Sequence, residues 1–177
     1  YRIEPEFFNL DNIIHIPKYS EVVKSFKTKT LALQTTESIF RYHPPIEVSI
    51  ENILPHFDEM NIEMKTASVS LLICIIENFN DDKLRAFIQN GLFTFDDGIL
   101  NQLCDVLNSG KLVFEILTFI RNVIMRMGKY GEDTFLIVLL QDETFQELLN
   151  EITDEENVKN AQLAKELLQI TEIEDVE

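Results

Sequence analysis

The sequence of 177 residues predicts an all-α fold, and three observations support this prediction. Glycine and proline are scarce, at five residues each, so the chain offers few of the residues that end helices and form turns. Apolar residues recur at spacings of three and four over long stretches, which is the periodicity of helices with a buried face. Hydrophobic residues make up 45% of the chain, and 13 of them are phenylalanine while none is tryptophan. We therefore expect a helical core that is filled largely by phenyl rings.

The stretch 111–127, KLVFEILTFIRNVIMRM, is predicted to be an inner helix with other helices packed around it. Its apolar residues cover most of the helical circumference, and such a helix needs cover on several sides. Glu115, Arg121 and Arg126 interrupt the stretch, which is also too short to cross a bilayer. The large apolar residues are Leu112, Val113, Phe114, Ile116, Leu117, Phe119, Ile120, Val123, Ile124 and Met127.

Residues 1–79 are predicted to contain four helical segments. The pair Pro44-Pro45 ends the second of them, because proline disfavours the helical conformation in the residue that precedes it. Pro55 predicts a kink or an early end in the third segment. Asn61 is a suitable cap for the fourth segment, which is apolar on most sides. The segments span residues 1–18 (one or two short helices), 19–42, 46–59 and 61–79.

Polar and glycine-containing turns separate the helices of the second half. Asp81 or Asp82 is expected to cap the first of these helices, and Asp96 or Asp97 the second. Asn90-Gly91 is expected to end the first helix, because glycine adopts the left-handed conformation at little cost. Turns are also predicted at residues 108–110 and 128–131. The predicted helices span about 81–89, 98–107, 111–127, 133–140, 143–152 and 154–170.

Two of the most apolar segments resemble each other at a fixed offset. An offset of 44 residues aligns Val69 with Val113, Ile73 with Leu117, Ile76 with Ile120 and Asn78 with Asn122. An offset of 91, which is 47 beyond the first offset, aligns Ile76, Asn78 and Phe79 with Leu167, Gln169 and Ile170. A helical unit repeated with a period in the mid-forties is typical of an α-solenoid, in which each unit buries its apolar face against its neighbours.

Residues 87–123, FIQNGLFTFDDGILNQLCDVLNSGKLVFEILTFIRNV, resemble an armadillo repeat. The match consists of a short helix, a glycine, a second helix rich in leucine, a small polar turn and a long third helix with asparagine before an apolar residue. The two-helix HEAT repeat is the nearest alternative. The resemblance implies one domain over residues 1–177 that forms a right-handed α–α superhelix. Its expected parts are a partial repeat at about 1–43, repeats at about 46–79, 81–128 and 132–171, and an acidic tail at 172–177.

The armadillo resemblance also implies a peptide-binding groove lined by the third helices. Asn78 and Asn122 would then hold the backbone of an extended peptide, with Gln169 in the corresponding position of the last repeat. The alternative is that each amide bonds a neighbouring helix. Cys74 and Thr118 stand where importin-type members carry tryptophan, which argues against the importin manner of recognising basic nuclear-localisation peptides.

Three arginines are further candidates for the groove. Arg121 and Arg126 flank Asn122 on the third helix, and Arg85 lies on a short helix nearby. They would pair with an acidic ligand, as the grooves of catenin-type members do. The alternative is that they form ion pairs with acidic residues of adjacent repeats.

The charge balance argues against nucleic acid as a partner. The chain holds 15 basic and 31 acidic residues, a net charge of −16, whereas a nucleic-acid-binding surface is basic. Fourteen of the acidic residues but only two of the basic ones lie from Glu132 onward. This acidic third either keeps the chain soluble or attracts a basic partner. No membrane insertion is expected.

No catalytic site, metal site or cofactor is predicted. His15, His43 and His56 lack the spacing of metal ligands, and the segment 128–131, GKYG, lacks the pattern of a phosphate-binding loop. The acidic pairs Asp81-Asp82, Asp96-Asp97 and Glu155-Glu156 fall at predicted helix starts, where capping and the helix dipole explain them.

The two cysteines, Cys74 and Cys104, lie in apolar runs and are expected to be buried free thiols in a reducing compartment, the cytoplasm and possibly the nucleus. The sequence thus predicts a non-enzymatic scaffold for protein–protein interaction. The alternative is a structural or regulatory domain of a larger protein that binds through an acidic convex face or by end-on stacking. The sequence does not indicate the oligomeric state.

Overall fold

The computed structural model describes residues 26–42, 60–95, 98–131 and 134–171. Within these ranges every regular element is an α-helix, which confirms the all-α prediction for the described residues. The predictions for residues 1–25, 43–59, 96–97 and 172–177 lie outside the described residues. In chain order the helices are α1 (Phe26–Tyr42), α2 (Ile62–Glu77), α3 (Asp81–Gln89), α4 (Ile99–Asn108), α5 (Val113–Gly128), α6 (Thr134–Leu140), α7 (Glu143–Thr153) and α8 (Val158–Thr171).

The chain divides into two compact units, Tyr1–Phe79 and Asn80–Glu177. In the first unit α1 packs against α2. Helix α2 begins as predicted, because the Asn61 side chain accepts a hydrogen bond from the amide of Met64 at 3.0 Å. Six successive residues of α2, 71–76, are buried, so this helix is covered on all sides at its centre.

In the second unit α5 is the central helix. It packs against four of the other helices described there, namely α3, α4, α6 and α8. This arrangement confirms the prediction of an inner helix with others stacked against it. The cover is incomplete, however, because Phe114 is 47% exposed and Met125 is 62% exposed. The buried residues of α5 are Val113, Ile116, Leu117, Phe119, Ile120, Val123, Ile124 and Met127.

Phenyl rings occupy the interior of the second unit, as the composition predicts. Phe93 lies between α3 and α4, and its ring centroid is 6.3 Å from that of Phe87 and 6.4 Å from that of Phe119. The rings of Phe95 and Phe145 form a further contact, at 5.9 Å. These tilted and edge-on contacts are the arrangements that aromatic side chains prefer.

Two helix starts differ from the predictions because another residue provides the cap. Asn80 caps α3 by accepting a hydrogen bond from the amide of Lys83 at 2.8 Å, and Asp81 and Asp82 lie in the first turn. The predicted start of the last helix at about Asp154 is also wrong. Asp154 ends α7, and α8 begins only at Val158.

Helix α5 begins at Val113 rather than at Lys111, because Leu112 adopts the left-handed conformation with φ of 52°. Non-glycine residues pay a steric cost in this conformation, so Leu112 is a strained position. The predicted turn before it is confirmed, since α4 ends at Asn108 and Gly110 has φ of 71°. Asn90 and Gly91 end α3 as predicted, with φ of 72° at the glycine.

Within the four described ranges, no helix is long and apolar enough to cross a bilayer.

Candidate functional site

One face of α5 is open to solvent, and we call it the α5 face. It consists of Phe114, Thr118, Arg121 and Met125, whose spacings of four, three and four residues place them on one side of the helix. Phe114 and Met125 are exposed, and Thr118 and Arg121 are half-buried. The central helix of the second unit therefore presents a strip of two apolar and two polar side chains.

Helix α8 packs against α5 and contributes the other side of a surface depression, which we call the α5–α8 groove. The groove is an open depression of about 610 Å³. Its lining residues are Arg121 and Met125 from α5, with Glu166, Gln169 and Ile170 from α8. Arg121 and Gln169 are thus two sequence-predicted site residues that the structure brings together.

The polar centre of the groove is the pair formed by Arg121 and Glu166. An Nη atom of Arg121 lies 3.2 Å from a carboxylate oxygen of Glu166, and the two side chains are 33% and 37% exposed. The other carboxylate oxygen accepts a hydrogen bond from the amide of Gln162 at 3.3 Å. The Arg121–Glu166 distance exceeds the 2.7–2.9 Å that is common for charge-assisted hydrogen bonds. The Arg121–Glu166 contact is therefore long for an ion pair, and both side chains are partly exposed to solvent.

Two buried polar atoms beneath the α5 face have no hydrogen-bond partner among the described residues. They are the Nε of Arg121 and the hydroxyl oxygen of Thr118, and the two residues are three positions apart on the helix. Unpaired buried polar atoms are rare in folded proteins and carry a desolvation cost. The α5 face thus combines exposed apolar side chains with hydrogen-bonding capacity that this chain leaves unused.

Arg126 does not line the groove, because it takes part in a separate cluster with Asp81. Its Nε and an Nη donate to the same carboxylate oxygen of Asp81, at 3.0 and 2.8 Å. The hydroxyl of Tyr130 donates to the other oxygen of Asp81 at 2.7 Å, and the guanidinium of Arg85 lies 4.7 Å from the centre of the Tyr130 ring. Arg126 thus pairs with an acidic residue, but Asp81 lies in the same predicted repeat, 81–128, and not in an adjacent one as the alternative expected. The Arg121–Glu166 pair does join the adjacent predicted repeats 81–128 and 132–171.

The hydrogen bonds of this cluster shift the acidity of its members. The bonds from Tyr130 and then from Arg126 hold the pKa of the Asp81 carboxyl below its ordinary value. The bond to Asp81 raises the pKa of the Tyr130 hydroxyl. Asp81 is therefore charged at neutral pH and is engaged on both of its oxygens.

The two predicted asparagines belong to different units. Asn78 ends α2, is exposed, and donates from its side-chain amide to the carbonyl of Cys74 at 2.8 Å. Asn122 lies on α5 next to Arg121 and is half-buried, and within the described ranges its side chain has no hydrogen-bond partner. The role of both amides in peptide binding stays a prediction.

Met125, Glu166 and Ile170 were not among the site residues predicted from the sequence. For Glu166 a signal was available in the repeat period, because Arg121 and Glu166 lie 45 positions apart on the third helices of two successive predicted repeats. The Arg126–Asp81 pair also spans 45 positions, but it joins two helices of one predicted repeat.

The described residues contain no group of three or more histidine, cysteine or acidic side chains that could hold a metal ion. Asp81 and Asp82 lie in the first turn of α3. Cys74 and Cys104 are buried free thiols, as predicted. Burial raises the pKa of both thiols, that of Cys104 to about 12.

Comparisons of the chain with protein-family models, with curated proteins and with solved structures found no match. The function is therefore inferred from the site itself.

Proposed function

We propose that this protein is a non-enzymatic protein-interaction scaffold that binds an extended peptide segment of its partner in the α5–α8 groove. The observation that carries this proposal is the convergence of Arg121, Gln169, Met125 and Ile170 on one open depression. An open groove with apolar sides and a few polar groups suits a chain segment better than it suits a small molecule, which favours an enclosed pocket.

The side chains of the groove match the needs of an extended peptide. Gln169 is exposed and carries both a donor and an acceptor, which can pair with a peptide backbone that has no partner of its own. Met125 and Ile170 offer apolar surface, and the flexible thioether of methionine adapts to different side chains. The groove therefore offers backbone recognition together with apolar contact.

The proposal extends to the repeat architecture. Helices α5 and α8 are the third helices of the repeats predicted at 81–128 and 132–171, and third helices line the groove of armadillo proteins. The ion pair between Arg121 of α5 and Glu166 of α8, which lie 45 positions apart, supports a structural period in the mid-forties. We therefore propose that the chain forms an armadillo-like right-handed superhelix, with HEAT repeats as the alternative.

A library of random peptides displayed on phage tests the proposal. Peptides are selected on the wild-type protein and then measured against Met125→Asp, which places a charge in the groove without touching the core. Val138→Asp is the matched control, because Val138 is 61% exposed and Met125 is 62% exposed, and Val138 does not line the groove. We expect Met125→Asp to weaken binding by roughly tenfold or more, while Val138→Asp binds as the wild type does.

A second candidate function is binding of a basic partner through an acidic surface. Glu143, Glu147 and Glu151 of α7 are all exposed and lie four residues apart, so they form an acidic row on one side of that helix. If changing all three to lysine abolishes binding and Met125→Asp has no effect, the acidic row is the binding surface and the groove is not.

A further inference from the structure

We infer that a bound peptide places one of its own carboxylates on Arg121 and displaces Glu166 from it. This inference rests on the proposed function and specifies the chemistry of the ligand. In the free protein the carboxylate of Glu166 pairs with the guanidinium of Arg121, and in the complex a ligand carboxylate takes its place. Arg121 then determines which ligands bind, and competition from Glu166 determines their affinity.

The two arginines of α5 differ in how firmly they are held by hydrogen bonds. Arg126 makes two bonds of 2.8 and 3.0 Å to Asp81, whose second oxygen is held by Tyr130. Arg121 makes one bond of 3.2 Å to Glu166. A guanidinium binds a carboxylate best through two parallel N–H donors. Arg126 is therefore fixed in the structure, whereas Arg121 has donor capacity that an incoming carboxylate can use.

The present arrangement leaves buried polar atoms unsatisfied. Within the part of the chain that the structure describes, the buried Nε of Arg121 has no acceptor, and the Thr118 hydroxyl on the same face is also unpaired. Release from Glu166 lets the Arg121 side chain turn, so that its Nε and an Nη both meet a carboxylate. The turn is required, because Nε is covered in the ligand-free conformation. Glu166 is 37% exposed and becomes hydrated when it is displaced.

The charge of the protein and the lining of the groove also limit which residues can surround the ligand carboxylate. The protein carries a net charge of −16, so it repels a segment with many acidic residues. The groove has one guanidinium, and it is flanked by Met125 and Ile170. The ligand that fits is a peptide with a single Asp or Glu between apolar side chains.

Glu166 is an internal competitor in this scheme. A ligand carboxylate must replace it, and two carboxylates close to one guanidinium repel each other. Removing the Glu166 charge therefore strengthens binding of an acidic peptide, although it removes a contact from the free protein. A purely structural ion pair would have no such effect.

The experiment uses a peptide from the phage selection and its Asp→Asn or Glu→Gln counterpart, titrated by fluorescence anisotropy. We expect Glu166→Gln to bind the acidic peptide several-fold more tightly than the wild type. We expect Arg121→Gln to bind it roughly tenfold more weakly, and to lose the preference for the acidic peptide over its amide counterpart. The matched controls are Glu151→Gln and Lys165→Gln, which change the same charges at exposed positions outside the groove.

The outcomes separate the inference from the proposed function. If the selected peptides bind in the groove but show no acidic preference, or if Glu166→Gln leaves their affinity unchanged, the inference is wrong and the groove stands. If no peptide is selected, or if Met125→Asp has no effect on binding, the groove and the inference are both wrong. A melting temperature for each variant shows whether its fold is retained.

Discussion

Arg126 and Asp81 form an ion pair in the second unit, with an N–O distance of 2.8 Å. Two nitrogens of the guanidinium donate to one oxygen of Asp81, at 2.8 and 3.0 Å, and Tyr130 donates to the other oxygen. The pair joins the last turn of α5 to the first turn of α3. The Asp81 charge also lies at the amino-terminal end of α3, where the helix dipole favours a carboxylate.

This pair predicts a specific dependence of stability on acid. The folded-state pKa of Asp81 lies below its ordinary value, so its contribution to the free energy of unfolding is complete above the unfolded-state pKa. The contribution is lost as the pH falls through the lower, folded-state pKa. We expect Asp81→Asn to be less stable than the wild type at neutral pH, and the difference to shrink in acid.

Urea denaturation from about pH 6 down to about pH 2 measures this dependence, because the range starts above the ordinary pKa of an aspartate and extends into the acid below it. Asp82→Asn is the control, since this neighbouring carboxylate is 93% exposed. A difference between the wild type and Asp81→Asn that stays constant over the whole range would refute the prediction.

The core of the second unit predicts that alanine substitutions at two phenylalanines of α5 have unequal effects on stability. Phe119 is 1% exposed and contacts the Phe93 ring, whereas Phe114 is 47% exposed. We expect Phe119→Ala to lower the free energy of unfolding by about 3–5 kcal/mol, because it leaves a cavity. Phe114→Ala is expected to cost less than about 1 kcal/mol. Chemical denaturation compares the two variants, and equal losses would contradict the central position of α5.

The structure predicts that any side chain at position 98 would clash with Thr94, which the sequence alone does not indicate. A Cβ atom at Gly98 would lie 2.6 Å from both the amide nitrogen and the carbonyl oxygen of Thr94, and backbone atoms cannot move aside cheaply. We expect Gly98→Ala to destabilise the protein by about 3 kcal/mol. Gly91→Ala is the comparison, because it meets open space and costs about 1 kcal/mol for its positive φ alone. Thermal denaturation compares the two variants. A smaller loss of stability for Gly98→Ala than for Gly91→Ala would contradict the prediction, because it would show that the backbone between α3 and α4 can shift to accept the added Cβ atom.

The burial of the two thiols predicts that the cysteines react slowly in the folded protein. Cys74 and Cys104 are 3% and 8% exposed, and burial raises the pKa of each. Because the thiolate is the reactive form, we expect neither cysteine to react with an aromatic disulfide reagent near pH 8 until the protein unfolds. Absorbance of the released thiolate follows the reaction, with protein in urea as the positive control. Rapid release from the native protein would contradict the burial of these residues.

The sequence predicted the helix ends best where one capping signal stands alone. Asn61 alone precedes the apolar run of α2, Asn90-Gly91 alone follows α3, and both predictions are confirmed. The apolar residues of α4 recur at helical spacing, and all five are buried: Ile99, Leu100, Leu103, Val106 and Leu107.

The errors arose where several residues can form the same cap. Asn80, Asp81 and Asp82 are all suitable caps, and packing of the apolar face of α3 selected the first. The same ambiguity placed the start of α8 at Asp154, although the Asn157 side chain accepts from the amide of Asn160 at 3.4 Å and the helix begins at Val158. Local propensity cannot resolve such choices, because the contacts that decide them come from other helices.

The site was predictable in part. Arg121 and Gln169 were selected from their positions in the repeat, and the structure places both in the groove. The partners of the two arginines were not predicted, since an ion pair depends on tertiary packing. Met125 was missed because the central helix was expected to be covered on several sides, whereas one strip of it faces solvent.

Photo-crosslinking from inside the groove tests the central claim most directly. A benzophenone amino acid replaces Met125 in one variant and Val138 in another, and each is irradiated with a labelled peptide from the phage selection. We predict a crosslink from position 125 that excess unlabelled peptide suppresses, and none from position 138. Crosslinking from position 138 alone, or equal crosslinking from both positions, would contradict the assignment of the α5–α8 groove as the binding site.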